Sequence, residues 1–318
     1  MDKTSVCLLS DSFPPIVDGV ANVVLNYAYN INKEWGDAIV AAPAYPGADD
    51  SGYPFQVVRY PSLDVRKLTT GYTAGIPFSP ELSSAIGKHN VNILHSHTPM
   101  VSAIMARALR KRMGIPTVVT YHTKYDIDIA NVVKNKALQT SGIKGVVTNM
   151  SAFDEVWVVS DGAGQNLRSL GYQGDYIVMP NGVDFHKGRS DALSVMREIR
   201  EYDLPEDIPI YLYVGRLMWY KGFRITLEAL KMLKDHDRDF RMVIIGNGAD
   251  AREIYDYAKN LGITDKVIFT GMIVDRERIR AWYTRSSLLL FPSTFDSNGL
   301  VVREAAACDV ASVLVRGS

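Results

Sequence analysis

The chain has 318 residues, too many for one ordinary core, so two domains are expected. Apolar residues make up 47% and charged residues 22%, and Lys plus Arg balance Asp plus Glu at 35 each, which speaks for a globular chain and against a general nucleic-acid binder. Cys7 and Cys308 lie far apart in apolar surroundings, which excludes a disulfide framework and a zinc site and points to a reducing compartment. The apolar run at 6–9 is too short for a signal-peptide core, and no later run approaches the ~18 residues of a membrane span, so a cytoplasmic location is expected.

Short Val- and Ile-rich runs recur along the chain. The first series lies at 5–10, 37–42, 55–60, 91–96, 117–121, 155–160 and 176–180, and the second at 208–215, 240–246, 266–271, 287–292 and 311–315. Continuous apolar runs separated by amphipathic stretches predict parallel strands covered on both faces by helices. Gly19 precedes a periodic stretch at 20–35 that Gly36 closes, and Pro99 opens another that ends at Met113 before Gly114. Asp161 is a candidate N-cap for a helix ending near Leu170, and Gly222 opens a helix ending near Lys234. Pro180, Asn181 and Gly182 form a turn signal, followed by a polar stretch at 184–207 with one helix inside it. The expected architecture is therefore α/β, with domains at 1–185 and 186–318. Both are doubly wound and Rossmann-like, and they face a cleft whose ligands meet the carboxyl ends of the strands. The second domain looks incomplete, because the chain ends three residues after a strand that should need a covering helix.

Two segments of the second domain carry candidate chemistry. Gly215 and Arg216 follow a strand, and Lys221 and Gly222 open a helix. Two cations at a helix N-terminus can stabilise a departing diphosphate; the plain alternative is a pair of surface cations near a turn. Further on, Asp296 and Glu304 stand eight residues apart across a helix start marked by Gly299. Asp296 in the loop could hold sugar hydroxyls. The N–H groups of Gly299 and Leu300 could meet a phosphate, and Glu304, about one and a half turns inside the helix on the face reached from the cleft, could accept two ribose hydroxyls. An acidic helix start complementing the dipole would explain Asp296 but not Glu304.

This arrangement resembles glycosyltransferase family 4, whose fold is GT-B. Five further segments agree in order: SDSFPPIVDGVANVV, SHTPM, TYHT, MPNGVD and VIIGNGA. The resemblance implies a retaining, metal-independent transferase that takes a hexose from a nucleotide diphosphate sugar, UDP-sugar first, and passes it to a lipid or glycan. It implies that Arg216 and Lys221 bind the diphosphate, Glu304 the ribose and Asp296 the transferred sugar. Gly19 would let a first-domain loop approach the donor. His122 would lie beside the anomeric carbon, and the backbone at Met272 and Ile273 would read the base. Asp296 departs from the family, which more often has Glu there. The family also continues beyond this point of the chain, so an inactive nucleotide-binding or interaction chain stays open as an alternative, as does a nucleotide-sugar epimerase.

Other candidates rank lower. His95 and His97, two apart at a strand end, are expected to point opposite ways, so with His122 they are not read as a metal site. Asp126 and Asp128 form a D-x-D pattern read as helix-start acids, and Gly246-Asn247-Gly248 is read as a tight turn. Arg107, Arg110, Lys111, Arg112, Lys134, Lys136 and Lys144 could draw the protein peripherally to an anionic membrane, although a solvated helix face is the plainer reading.

Overall fold

Val6, Cys7, Leu8 and Leu9 are consecutive and all buried. Cys7 and Leu9 enter one core cluster, with Ile39, Ala41, Leu82, Leu94 and Met105. Val6 and Leu8 enter another, with Val24, Ala28 and Val40. Alternate residues of one strand thus fill two cores, which is why the strand reads as a continuous apolar run. Each buried Val or Leu side chain contributes about 1.5–3 kcal/mol.

The computed structural model describes residues 4–16, 18–65, 72–294 and 296–316. The chain divides into two compact units, Met1–Asn181 and Gly182–Ser318. The division falls four residues before the expected boundary at 185, since Asp184 pairs with Arg276 and Phe185 lies in the core of the second unit.

In chain order, the first unit has β1 (Thr4–Leu9), α1 (Gly19–Asn30), β2 (Gly36–Pro43), β3 (Gln56–Tyr60), β4 (Ser62–Leu63), β5 (Ala74–Gly75), α2 (Pro80–Lys88), β6 (Ile93–Ser96) and α3 (Val101–Met113). It continues with β7 (Thr117–Tyr121), α4 (Tyr125–Val132), α5 (Lys136–Met150), β8 (Glu155–Val158), α6 (Asp161–Ser169) and β9 (Ile177–Val178). Seven strands form a parallel sheet in the order β3-β2-β1-β6-β7-β8-β9, and β4 and β5 form a small antiparallel pair. The sheet order reverses direction between β1 and β6, the kind of switch point at which open α/β sheets bind ligands.

The second unit has α7 (Ala192–Glu201), β10 (Ile210–Val214), α8 (Phe223–Asp235), β11 (Arg241–Ile245), α9 (Ala251–Asn260), β12 (Val267–Gly271), α10 (Arg276–Arg285), β13 (Leu288–Phe291), α11 (Leu300–Ala307) and β14 (Ser312–Leu314). Its five strands are parallel in the order β12-β11-β10-β13-β14. Here the switch point lies between β10 and β13.

Side chains at the helix starts explain the boundaries. Asp18 caps α1 and accepts from the Ala21 N–H at 2.7 Å, so Gly19 is the first helical residue. Ser160 caps α6 through the Ala163 N–H, which makes Asp161 the first helical residue rather than the cap. The periodic stretch at 20–35 is not one helix: α1 ends at Asn30 and a π-helical turn fills Ile31–Trp35. Gly114 closes α3 in the left-handed conformation, as glycine after a helix does.

Candidate active site

In the second unit, β10 ends at Val214 and is followed by Gly215 and an exposed Arg216. The Tyr213 hydroxyl donates to the Arg216 carbonyl at 2.9 Å and shapes this loop. A short 3₁₀ turn, Trp219–Lys221, leads to Gly222 at φ +85°, which caps α8. A side chain at Gly222 would place its Cβ 2.3 Å from the Pro292 carbonyl oxygen. Glycine therefore lets the start of α8 close on the end of β13, and this brings Lys221 against the loop before α11.

Lys221 Nζ donates to Asp296 Oδ2 at 2.7 Å, and the ammonium also lies over the rings of Tyr220 and Phe291. Asp296 Oδ1 accepts the Gly299 N–H at 3.1 Å. Burial pushes the Asp296 carboxyl up, but the charge and hydrogen bond of Lys221, with the N–H groups of Gly299 and Asn298, outweigh it and hold the group below the usual carboxylate range. A cation and an anion thus stand together at the carboxyl edge of β10 and β13. The Gly299 N–H, expected to face a phosphate, is directed at Asp296 instead. Leu300 is the first residue of α11.

Glu304 is held by partners of its own. It is only 6% exposed, because α10 covers the helix face on which it stands. Arg276 Nη2 donates to Oε1 at 2.7 Å, and the Tyr283 hydroxyl donates to Oε2 at 2.9 Å. Arg276 also forks onto Asp184 and lies 4.2 Å from the centre of the Phe185 ring. Each carboxylate oxygen keeps a second lone pair, so Glu304 can accept further hydroxyls once reached. Arg276 and Tyr283 escaped the sequence reading, since nothing in their local pattern announces a partner at position 304. Beyond β12, Met272 is 59% exposed while Ile273 packs against the core.

The first unit gathers its polar groups at the carboxyl ends of its strands. Asp11, just past β1, accepts from the Thr98 hydroxyl at 2.7 Å, the Tyr60 hydroxyl at 2.9 Å and the Ser102 N–H at 2.9 Å. Burial raises its carboxyl above the ordinary value despite these bonds. The sequence reading passed over Asp11; the one available signal was an acid two residues past the apolar run Val6–Leu9. The next helix start, Asp18, accepts from the hydroxyls of Ser12 and Tyr72 beside Gly19.

The histidines come together rather than diverging. Positions two apart on a strand share a face, and the rings of His95 and His97 stack at 4.1 Å. His97 Nδ1 is 3.0 Å from His122 Nε2, and His95 Nε2 is 2.8 Å from the Thr120 hydroxyl. The Tyr27 ring makes T-shaped contacts with both His95 and His97. Burial pushes His95 and His122 down to about 3, and holds His97 well below its ordinary value together with its imidazole neighbours. All three rings are neutral at physiological pH.

Asp126 and Asp128 stand in the first turn of α4, where Asp126 accepts from Asn166 and Asp128 from Thr123. Of the basic residues of α3, Arg107 donates to Asn149 and Arg110 to Asp154 and the Ala152 carbonyl, so part of the basic excess holds α3 to its neighbours. Among the described residues no group of three or more His, Cys, Asp or Glu is arranged to hold a metal ion, and no helix is long and apolar enough to cross a membrane.

Residues 17–187 match the family model described as Glycosyltransferase Family 4, and residues 195–318 match that of Glycosyl transferases group 1. The chain belongs to glycosyltransferase family 4. As a member it is a glycosyltransferase, and its two Rossmann-like units are those of the GT-B fold. An alpha-monoglucosyldiacylglycerol synthase of Streptococcus pneumoniae is 24% identical over 305 residues, covering 94% of this chain and 68% of the relative. A GDP-mannose-dependent alpha-mannosyltransferase of Corynebacterium glutamicum is 27% identical over 318 residues, covering 97% and 71%. The solved structure of Anabaena HepE in complex with UDP and glucose superposes with a TM-score of 0.75 at 15% identity, covering 98% of this chain and 81% of that one.

Proposed function

We propose that this transferase moves a hexose from a nucleotide diphosphate sugar, UDP-sugar first, to a lipid or glycan acceptor with retention of configuration. The observation that carries the reading is the Lys221–Asp296 pair, 2.7 Å apart at the carboxyl edge of β10 and β13. A diphosphate and a sugar need a cation and a hydroxyl acceptor side by side, and this edge of a doubly wound sheet is where such ligands bind. In this reading Lys221 and Arg216 neutralise the leaving diphosphate. Asp296 takes sugar hydroxyls, and Glu304, fixed by Arg276 and Tyr283, takes the ribose. The start of α11 at Gly299 and Leu300 lies beside the phosphates, and the backbone at Met272 and Ile273 reads the base. In the first unit Gly19 lets the loop after β1 approach the donor, and His122 lies beside the anomeric carbon.

The UDP preference draws support from the UDP complex of HepE, and the mannosyltransferase makes GDP the competing base. The diacylglycerol-modifying relative favours a lipid acceptor met at the inner face of a membrane. No metal is required in this scheme, so transfer is expected to persist in EDTA.

Thermal unfolding with UDP, GDP and ADP tests the donor site, each nucleotide measured on wild type and Lys221→Ala. A nucleotide at a hundred times its dissociation constant should stabilise the native form by about 2.7 kcal/mol. The expected result is a shift with one nucleotide that shrinks in the variant. No shift with any of them refutes the donor reading.

A further inference from the structure

His97 ends in a position that its own chemistry makes uncomfortable. Its ring is fully buried, Nδ1 faces His122 Nε2 at 3.0 Å, and Nε2 is buried without a hydrogen-bond partner. His95 lies flat against one face of the ring, and its own Nε2 is engaged by Thr120. The Tyr27 ring, 5.2 Å away and steeply inclined to it, offers at most an N–H···π contact, which is second-order.

Two neutral imidazoles joined by one hydrogen bond have two tautomeric solutions. In the first, His97 carries its proton on Nδ1 and donates to His122 Nε2, and the lone pair on His97 Nε2 is left unmatched. In the second, His122 donates from Nε2, and His97 must bury an N–H with no acceptor. Among buried backbone groups, orphaned N–H groups are rarer than under-satisfied carbonyls, and we apply the same order to the imidazole nitrogens. The first solution is therefore favoured, and it leaves the proton of His122 on Nδ1. His122 sits directly after β7 with 7% of its surface exposed, and Nδ1 is its one nitrogen outside the pair.

We propose that His97 is a positioning residue that fixes His122 as the Nδ1–H tautomer, so that His122 meets the sugar donor as a hydrogen-bond donor and not as a base. This rests on the reading that places His122 at the donor. A neutral N–H beside the reacting sugar can support an oxygen gaining negative charge and takes up no proton itself, a division of labour suited to a reaction whose leaving group is already an anion.

Nitrogen-15 NMR of the full chain labelled at histidine tests the tautomer without any acceptor substrate. The His122 signals are assigned by their loss in His122→Asn. Wild type is expected to show a protonated, pyrrole-type Nδ1 and an unprotonated, pyridine-type Nε2 on His122. His97→Asn places an amide donor where Nδ1 stood and should keep this pattern. His97→Asp offers only an acceptor and should move a proton onto His122 Nε2. A protonated Nε2 on His122 in wild type overturns the inference, as does an unchanged pattern in His97→Asp. In turnover with nucleotide sugar, His97→Asp should lose about 100-fold in kcat, the scale of one misdirected electrostatic donor, with KM for the donor little changed, while His97→Asn stays within a few-fold of wild type. Correct tautomers together with equal turnover in the Asn and Asp variants would refute the placing of His122 at the donor and leave the role of His97 in the pair standing.

Discussion

Replacing Arg276 with Met should destabilise the second unit by about 2–4 kcal/mol at neutral pH. Removing one partner of a fully buried ion pair costs about 3–5 kcal/mol, because the other charge is left in low dielectric. Glu304 meets that condition at 6% exposure, but the Arg276 side chain is 33% exposed, so solvent screening moves the figure to the lower part of the range. The bond to Asp184, 35% exposed, adds at most about 1 kcal/mol, and the stacking on Phe185 about 0.5–1 kcal/mol. Met keeps most of the aliphatic bulk, so the loss reports charge more than packing. Urea unfolding of Arg276→Met, Glu304→Gln and the double variant separates the terms. The neutral amide introduced by Glu304→Gln needs no counter-charge and can still accept from Tyr283, so the double variant should regain at least half of the loss. If Arg276→Met unfolds within about 0.5 kcal/mol of wild type, or if the two losses simply add, the carboxylate does not depend on this guanidinium and the reasoning fails.

Three further outcomes are expected. Gly222→Ala forces φ +85° on a residue with a Cβ 2.3 Å from the Pro292 carbonyl; it should cost about 1–3 kcal/mol and reduce nucleotide-induced stabilisation, and an unchanged nucleotide shift would detach this glycine from the donor site. Asp11→Ala removes the acceptor of four donors, the hydroxyls of Tyr60, Thr98 and Ser102 and the Ser102 N–H, and should cost about 3 kcal/mol in urea unfolding, whereas Asp11→Asn, which keeps an acceptor, should cost clearly less; equal losses would mean that volume and not hydrogen bonding is at stake. The buried histidines make stability fall in acid. Their pKa values are lower folded, about 3 for His95 and His122, than the 6.5 of the unfolded chain, so the unfolded state binds more protons between those values. Stability is complete above pH 6.5 and declines as pH falls toward 3, by up to about 2 kcal/mol per imidazole at pH 5. Unfolding at pH 7 and pH 5 should show a smaller difference in His95→Gln, and an unaltered difference would refute the assignment.

Why some of this was legible and some was not follows from the range of the forces involved. The twelve strands of the two parallel sheets were visible as Val- and Ile-rich runs, which burial on both faces explains for central strands, as at Val6–Leu9, but not for the exposed edge strands β9 and β14. The small pair β4–β5 was missed because Ser62–Leu63 and Ala74–Gly75 belong to no Val- or Ile-rich run. The start of α6 was legible to within one residue, since Ser160 and Asp161 are both good caps, whereas α3 begins at Val101, two residues after the Pro99 that was expected to open it. At the site, Lys221 announced itself next to Gly222 and Asp296 three residues before Gly299, each at a helix start, yet their union depends on how closely Gly222 approaches Pro292, a tertiary fact.

The same distinction explains what periodicity left out. Helical periodicity gives Glu304 a direction but not what stands there. Arg276 and Tyr283, 28 and 21 residues earlier, fill that direction with partners of the right charge and geometry. The histidines were misread more simply, by giving a strand the wrong period. With the period corrected, His95 and His97 belong on one face, and the parallel neighbour β7 delivers His122 to the same layer. What the sequence alone could not supply is the buried, unmatched Nε2 of His97. That atom links packing to chemistry, because a nitrogen unable to find a partner in the core limits which proton the imidazole beyond it can offer.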